Sequence, residues 1–143
     1  MALKTFAIPL ALVMTLGGLH CKKNETPRCG RCGMVVDPKS AFQAELNMPD
    51  TGGHLAFDSP KCALKHRATR KVRTTLRVQE YYSRNWVDGS EVRFVVGSDV
   101  VGPMGKDIIP VSPAQAEKFV KDHGGDKTLT LAEIDDAVLA SVP

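Results

Sequence analysis

Four cysteines and five methionines among 143 residues are the side chains best placed to do chemistry. In Cys29-Gly30-Arg31-Cys32-Gly33-Met34 two thiols stand at i and i+3 of a glycine-containing turn, so both sulfurs can reach one ion or each other. Beyond Cys32 the segment Met34-Val35-Val36 reads as extended, and residues i and i+2 of an extended chain project to the same side. The Cys32 thiolate and the Met34 thioether then face one point, with Gly33 leaving room between them. Thiolate plus thioether is a soft donor pair, suited to Cu(I) and poorly suited to Mg²⁺, Ca²⁺ or Mn²⁺. Met104, in the loop segment Gly102-Pro103-Met104-Gly105, offers a second thioether.

Other groupings compete with that set. Cys62 and His66 are spaced i and i+4 on an expected helix and share a face. With Cys29 and Cys32 they make C-x2-C…C-x3-H, a tetrahedral zinc pattern. The 29 residues between Cys32 and Cys62 exceed the gap of short zinc fingers. Cys29 and Cys32 alone would suit a disulfide or a thiol–disulfide redox protein, but no βαβ context surrounds them and they open no helix. Asp58 precedes the helix and reads as its cap or as an acceptor for backbone amides. His54 has no evident partner, His123 closes a helix where a cation suits the dipole, and Met48 reads as core. No Ser/His/Asp set, phosphate loop or motif-placed carboxylate pair is present, so the chain reads as a binding protein and not an enzyme.

The elements that position these residues are short. Ala41 to Met48 and His54 to Phe57 alternate as a hairpin. Ser59-Pro60 starts a helix over about 60–68. Strands follow at Thr74 to Tyr82, Asn85 to Asp88, Val92 to Val96 and Ile108 to Val111, with Gly97 to Gly105 as a loop. Capping boxes at Ser112/Gln115 and Thr130/Glu133 predict helices over 113–123 and 131–140. Hairpins dominate, so the expected class is α+β, built of two small β-β-α-β-like units with short antiparallel sheets. Between Ser59 and Gln79 stand Lys61, Lys65, Arg67, Arg70, Lys71, Arg73 and Arg77 with no acid. This run reads as a solvated face, its alternative use being to dock an acidic partner or anionic lipid heads.

The beginning of the chain has the layout of an export signal. Lys4 is followed by an uncharged run from Thr5 to Leu19, short of the roughly 18 to 20 apolar residues of a membrane span. Cys21 closes it and polar Lys22 to Pro27 follows, which is how a bacterial lipoprotein begins, although Leu19 and His20 are larger than the residues that usually precede a lipidated cysteine. The expected organisation is a signal peptide over 1–20, a tether over 21–28 and one metal-binding domain over 29–143. Loss of Lys4 lowers the net charge of +3 by one, and such near-neutrality argues against nucleic acid as a partner. Export places the remaining thiols in an oxidising compartment, where unpaired cysteines call for a metal or a disulfide.

Taken in order, a signal ending in cysteine, Cys32-Gly33-Met34, Phe57-Asp58 before a short helix, Asn85-Trp86-Val87-Asp88, Val92 to Ser98, Gly102-Pro103-Met104-Gly105 and His123-Gly124-Gly125 resemble the NosL family of copper-binding lipoproteins. The resemblance spans about residues 29–135. It implies an α+β fold of two related units and a membrane-tethered metallochaperone that delivers Cu(I) to nitrous oxide reductase or its copper-assembly machinery, facing the periplasm from a lipid-anchored position in the cell envelope. It implies Cys32, Met34 and Met104 as copper ligands, Cys21 as the lipidated residue, and leaves Cys29, Cys62 and His66 as further candidates. A homodimer is compatible with it. The CxxC-GM start and Cys62 are also similar to small YHS/TRASH-like domains, which keeps a zinc or heavy-metal module as the alternative.

Overall fold

Alternation of apolar and polar residues sets the first unit. The computed structural model describes residues 26–70 and 72–143; the expected signal peptide and Cys21 lie outside them. Strand β1 (Ala44–Met48) buries Ala44 and Leu46. It turns back into β2 (Gly53–Phe57), with Ala44 opposite Phe57. Helix α1 (Pro60–Ala68) begins at Ser59, whose Oγ accepts the Cys62 amide at 3.1 Å, with proline at the first helical position. Strand β3 (Thr75–Gln79) then returns along the free edge of β1, and β4 (Trp86–Asp88) adds to it. The sheet runs β2-β1-β3-β4, antiparallel throughout.

The second unit repeats the plan. Strand β5 (Arg93–Val96) is central, β8 (Ile109–Val111) is its hairpin partner, helix α2 (Ala116–His123) crosses, and β9 (Lys127–Leu129) pairs with the other edge. Order β8-β5-β9 reproduces β2-β1-β3, so the expected pair of β-β-α-β units is present as topology. Between β5 and β8, β6 (Val101–Gly102) and β7 (Gly105–Lys106) form a small hairpin with Pro103 and Met104 at its tip. Helix α3 (Asp136–Ser141) ends the chain against α1.

One apolar core joins the units. Leu46, Phe57, Leu76 and Val78 from the first sheet pack with Phe94 and Val96 from β5 and with Val92 just before it, and both Cys29 and Cys62 belong to this cluster. Val95 faces the opposite way, toward Ile109, Val111 and Phe119 under α2. β5 is therefore buried on both faces.

Several local expectations differ. Ser112 and Gln115 form no capping box: Pro113–Gln115 is a 3-10 turn, the Ser112 amide donates to Glu80 Oε1 at 3.1 Å, and the α-helix starts only at Ala116. The Thr130/Glu133 box does form, but it closes only a 3-10 turn over Leu131–Glu133. Ile134 then leaves helical conformation, because Asp135 caps a new helix through the Val138 amide at 2.9 Å. The expected helix over 131–140 is thus two pieces. The loop over 97–105 contains the first arm of the small hairpin. Residues 34–36 make no strand, only an isolated bridge from Val35 to Arg28. Met48 is half-buried and lies outside both core clusters. Strand β9 has no apolar alternation, and only its pairing with β5 makes it a strand.

Candidate metal centre

The CxxC segment is shaped by its own backbone. The Cys29 amide donates to Met34 O at 2.8 Å, Gly33 N–H to Cys29 O at 3.0 Å, and Val36 N–H to Pro27 O at 2.8 Å. Arg28 closes the loop with a bond to Gly33 O at 3.0 Å. The stretch read as a tether therefore enters the fold at Pro27. Gly33 sits at φ +76°, in the left-handed region that glycine enters without strain. Gly30 donates to Ala56 O at 2.9 Å, and a Cβ there would meet the Phe57 ring at 3.2 Å, so glycine lets the loop lie flat on β2. This docking brings the loop to the junction of β2 and α1.

Cys29, Cys32 and Cys62 are unbridged thiols, and with Asp58 they form one group whose ligand atoms all lie within 4.8 Å of one another. Cys29 and Cys62 are 4% and 5% exposed, whereas Cys32 is half-buried. Asp58 itself is buried. Its Oδ2 accepts the Cys32 thiol proton across 3.3 Å, and its Oδ1 has no hydrogen-bond partner among the described residues. An unpartnered buried carboxylate oxygen costs about 1–3 kcal/mol, and a cation among the sulfurs would satisfy it. Burial pushes the Cys32 thiol above its ordinary value; the Met34 amide opposes this, and Cys29 and Asp58 reinforce it. Burial also drives Cys62 strongly upward, helped by the negative fields of Cys29 and Asp58, despite the bond to Ser59. Protonated thiols are weak nucleophiles. A metal ion held here would have to displace those protons.

The thioethers lie further out. Met34 and Met104 are each 43% exposed. Met34 borders a cleft of about 410 Å³ together with Asp58, Arg84 and Pro103, so the tip of the β6–β7 hairpin opens on the same cleft as the carboxylate. That hairpin is tied to α1 by Lys61. Its ammonium is buried and donates to Met104 O at 3.1 Å, Lys106 O at 2.6 Å and Pro143 O at 2.5 Å. Lys65 likewise reaches Val142 O at 2.5 Å. Two members of the basic run are thus spent inside the fold, contrary to the expectation of a solvated face. Arg67, Arg70 and Arg73 border an open groove.

His66 stands outside the thiol group. Its ring packs on Phe57 at 5.2 Å and its Nε2 accepts from Arg70 at 3.0 Å. Burial, Arg70 and Arg31 all lower its pKa. His54 is paired with Asn47, Nδ1 to Oδ1 at 2.9 Å, and His123 packs on Phe119 and bonds Asp99. Asp58 is the residue that the sequence reading placed differently. It caps nothing in α1, since Ser59 does that. The signal that could have found it is position: it directly follows the strand on which the CxxC loop rests and precedes the helix that carries Cys62.

A duplicated antiparallel α+β scaffold with three thiols and a carboxylate converging at its core edge defines a small protein whose cluster could hold a metal ion. The chain belongs to the NosL family, whose model matches residues 21–139. Among solved structures it is similar to the copper chaperone NosL from Shewanella denitrificans, with a TM-score of 0.67 and 22% identity over 90% of this chain and 99% of that one. At that identity the likeness is one of fold. No curated protein matches the chain.

Proposed function

We propose that this protein carries Cu(I) outside the cytoplasm and hands it to a cuproenzyme, nitrous oxide reductase or its copper-assembly machinery being the acceptor the family suggests. The observation that carries the reading is the placing of Cys32. It is the half-buried sulfur of the thiol group, and its neighbour Met34 borders the cleft reached by the hairpin of Met104. Cys32 supplies an anionic soft donor, and Met34 and Met104 supply neutral ones that an incoming acceptor thiolate can displace. Copper is cargo, and the chain acts as a carrier without a catalytic step. The copper-chaperone description of the similar structure agrees with this.

Asp58 favours a second reading. Three cysteines and a carboxylate make a four-donor set, and thiolate sulfur and carboxylate oxygen are both zinc ligands. Anaerobic competition separates the two. Under the copper reading the reduced protein keeps Cu(I) against a weak chelator in the presence of equimolar Zn²⁺. Cys32→Ser then abolishes binding, and Met34→Leu or Met104→Leu weakens it with the circular dichroism unchanged. Displacement of Cu(I) by Zn²⁺, or unfolding of the protein by a zinc chelator, overturns that reading and installs the second.

Among the described residues no helix is long and apolar enough to cross a membrane. We place the protein in the cell envelope through acylation of Cys21, facing the periplasm, where two or more acyl chains suffice for stable anchoring. Lys22 to Thr26 then spans about 16 Å at ~3.3 Å per residue, enough to let the domain turn toward an acceptor.

A further inference from the structure

Resting on the copper reading above, we infer that the pocket takes two Cu(I) ions per chain, an inner one among Cys29, Cys62 and Cys32 and an outer one among Cys32, Met34 and Met104. The sulfurs are graded in depth. Cys29 and Cys62 are 4% and 5% exposed and belong to the apolar core, Cys32 is half-buried, and the two thioethers are 43% exposed. Cys32 is the sulfur common to both ends of that gradient. A single ion bound by Cys32 and the thioethers leaves two buried thiols within 4.8 Å of the loaded sulfur with nothing to do.

Donor count supports the division. Three-coordinate Cu(I) needs three soft donors, and the five sulfurs supply six positions if the Cys32 thiolate bridges. Geometry supports it too. At metal–sulfur bonds of about 2.3 Å a trigonal ion wants sulfurs about 4 Å apart, and the thiol group, with all its ligand atoms within 4.8 Å, needs only a small contraction. The independent observation is Asp58 Oδ1, buried at this point and unpartnered among the described residues. An ion seated among the three inner sulfurs stands next to that oxygen, which an ion held by the exposed thioethers does not. Lys65, whose charge couples to both Cys62 and Arg31, supplies fixed positive charge near the anionic cluster that results. Loading involves no redox step. Three S–H bonds give way to copper–sulfur bonds, three protons leave to bulk water, and copper stays Cu(I).

The arrangement makes the inner ion a reserve and the outer one the ion in exchange. An acceptor that draws off the outer copper finds it replaced across the Cys32 bridge.

The test is anaerobic Cu(I) titration of the full chain against a chromophoric chelator, with retained copper counted by native mass spectrometry. Two Cu(I) per chain are expected in the wild type and one in Cys62→Ser. Because Cys62 lies in the core, Cys29→Ser and Met34→Leu/Met104→Leu are measured beside it, each expected to hold one. X-ray absorption of the doubly loaded protein should show a copper–copper path that is absent from all three variants. One Cu(I) in the wild type, unchanged in Cys29→Ser, overturns the inference and leaves the copper-carrying function standing. No retained Cu(I) at all overturns that function as well. A second site filled only by Zn²⁺ overturns the inference in favour of a mixed-metal pocket.

Discussion

Replacing Lys61 by methionine tests how the outer thioether is held. Lys61 is the second residue of α1, where a cation is the wrong sign for the helix dipole. Its ammonium is nonetheless buried, at 4% exposure, and donates to three carbonyls, those of Met104, Lys106 and Pro143. Methionine keeps the length and apolar stem while deleting every donor. Three acceptors lose their shared cation, and the buried carboxylate of Asp107 loses the charge facing it. Burial raises the Asp107 pKa, while the Ile108 and Lys61 amides and the Lys61 charge pull it down. Removing one partner of a buried charged set costs about 3–5 kcal/mol. Some hairpin carbonyls will gain water, so the expected loss is about 3 kcal/mol, or roughly 10 °C in Tm for a domain of this size. Urea unfolding followed by the fluorescence of Trp86, the single tryptophan, measures it. Cu(I) affinity should fall on the order of tenfold, as for loss of a group that orients a ligand. Asp107→Asn added to Lys61→Met should recover about 1 kcal/mol, since the buried charge left unpaired is gone. A loss under about 1 kcal/mol with unchanged Cu(I) affinity would refute the idea that Lys61 clamps the Met104 hairpin to α1.

Glu80 bridges two loops, accepting the Ser83 amide at 2.7 Å and the Ser112 amide at 3.1 Å, and although burial alone would raise its pKa these bonds hold it below the ordinary 4.5. Its contribution is therefore complete above about 4.5 and lost as pH falls through the depressed folded value; Glu80→Gln should cost about 1–2 kcal/mol at pH 7, and denaturation curves of the two proteins should converge in acid. Gly33→Ala meets no atom within 4 Å but must hold φ +76°, so about 1 kcal/mol of backbone strain is expected with little change in packing. Gly33→Asn should cost less, and equal stabilities across the three proteins would contradict the assignment. Cys21→Ala should move the protein from the membrane fraction to the soluble or unprocessed one, and mass spectrometry of the wild type should find an acylated Cys21 at the N-terminus.

What could be read in the sequence divides by the range of the interaction. Ser59-Pro60 and the alternation of Ala44 and Leu46 act within a few residues, so α1 and β1 were visible directly. The first β-β-α-β unit was visible for the same reason, since its hairpin and helix carry their own turn and cap signals, whereas the duplication was implied by the family resemblance. Strand β9 was not visible: Lys127-Thr128-Leu129 is polar, and it becomes a strand only because β5 offers an unpaired edge. The Thr130/Glu133 box was legible as a cap, but Asp135 captures the Val138 amide and restarts the helix, a competition that a single cap does not disclose. At the site, the spacing of Cys29 and Cys32 announced itself. The convergence of Cys62 and Asp58 depends on the CxxC loop lying on β2 through Gly30, a contact between segments 26 residues apart in sequence. His66 shares the helix with Cys62 yet turns to Phe57 and Arg70, because the helix face that reaches the sulfurs is only its first turn. Lys61 and Lys65 read as solvated for want of any local acid; their acceptors are backbone carbonyls, which leave no mark in a sequence.

Copper-edge X-ray absorption of the anaerobically loaded chain tests the central claim most directly. The account predicts Cu(I) in a shell of sulfur alone, retained through gel filtration, with less copper retained by Met34→Leu/Met104→Leu and none by Cys32→Ser. A shell dominated by nitrogen or oxygen, or full retention of copper by Cys32→Ser, would contradict it.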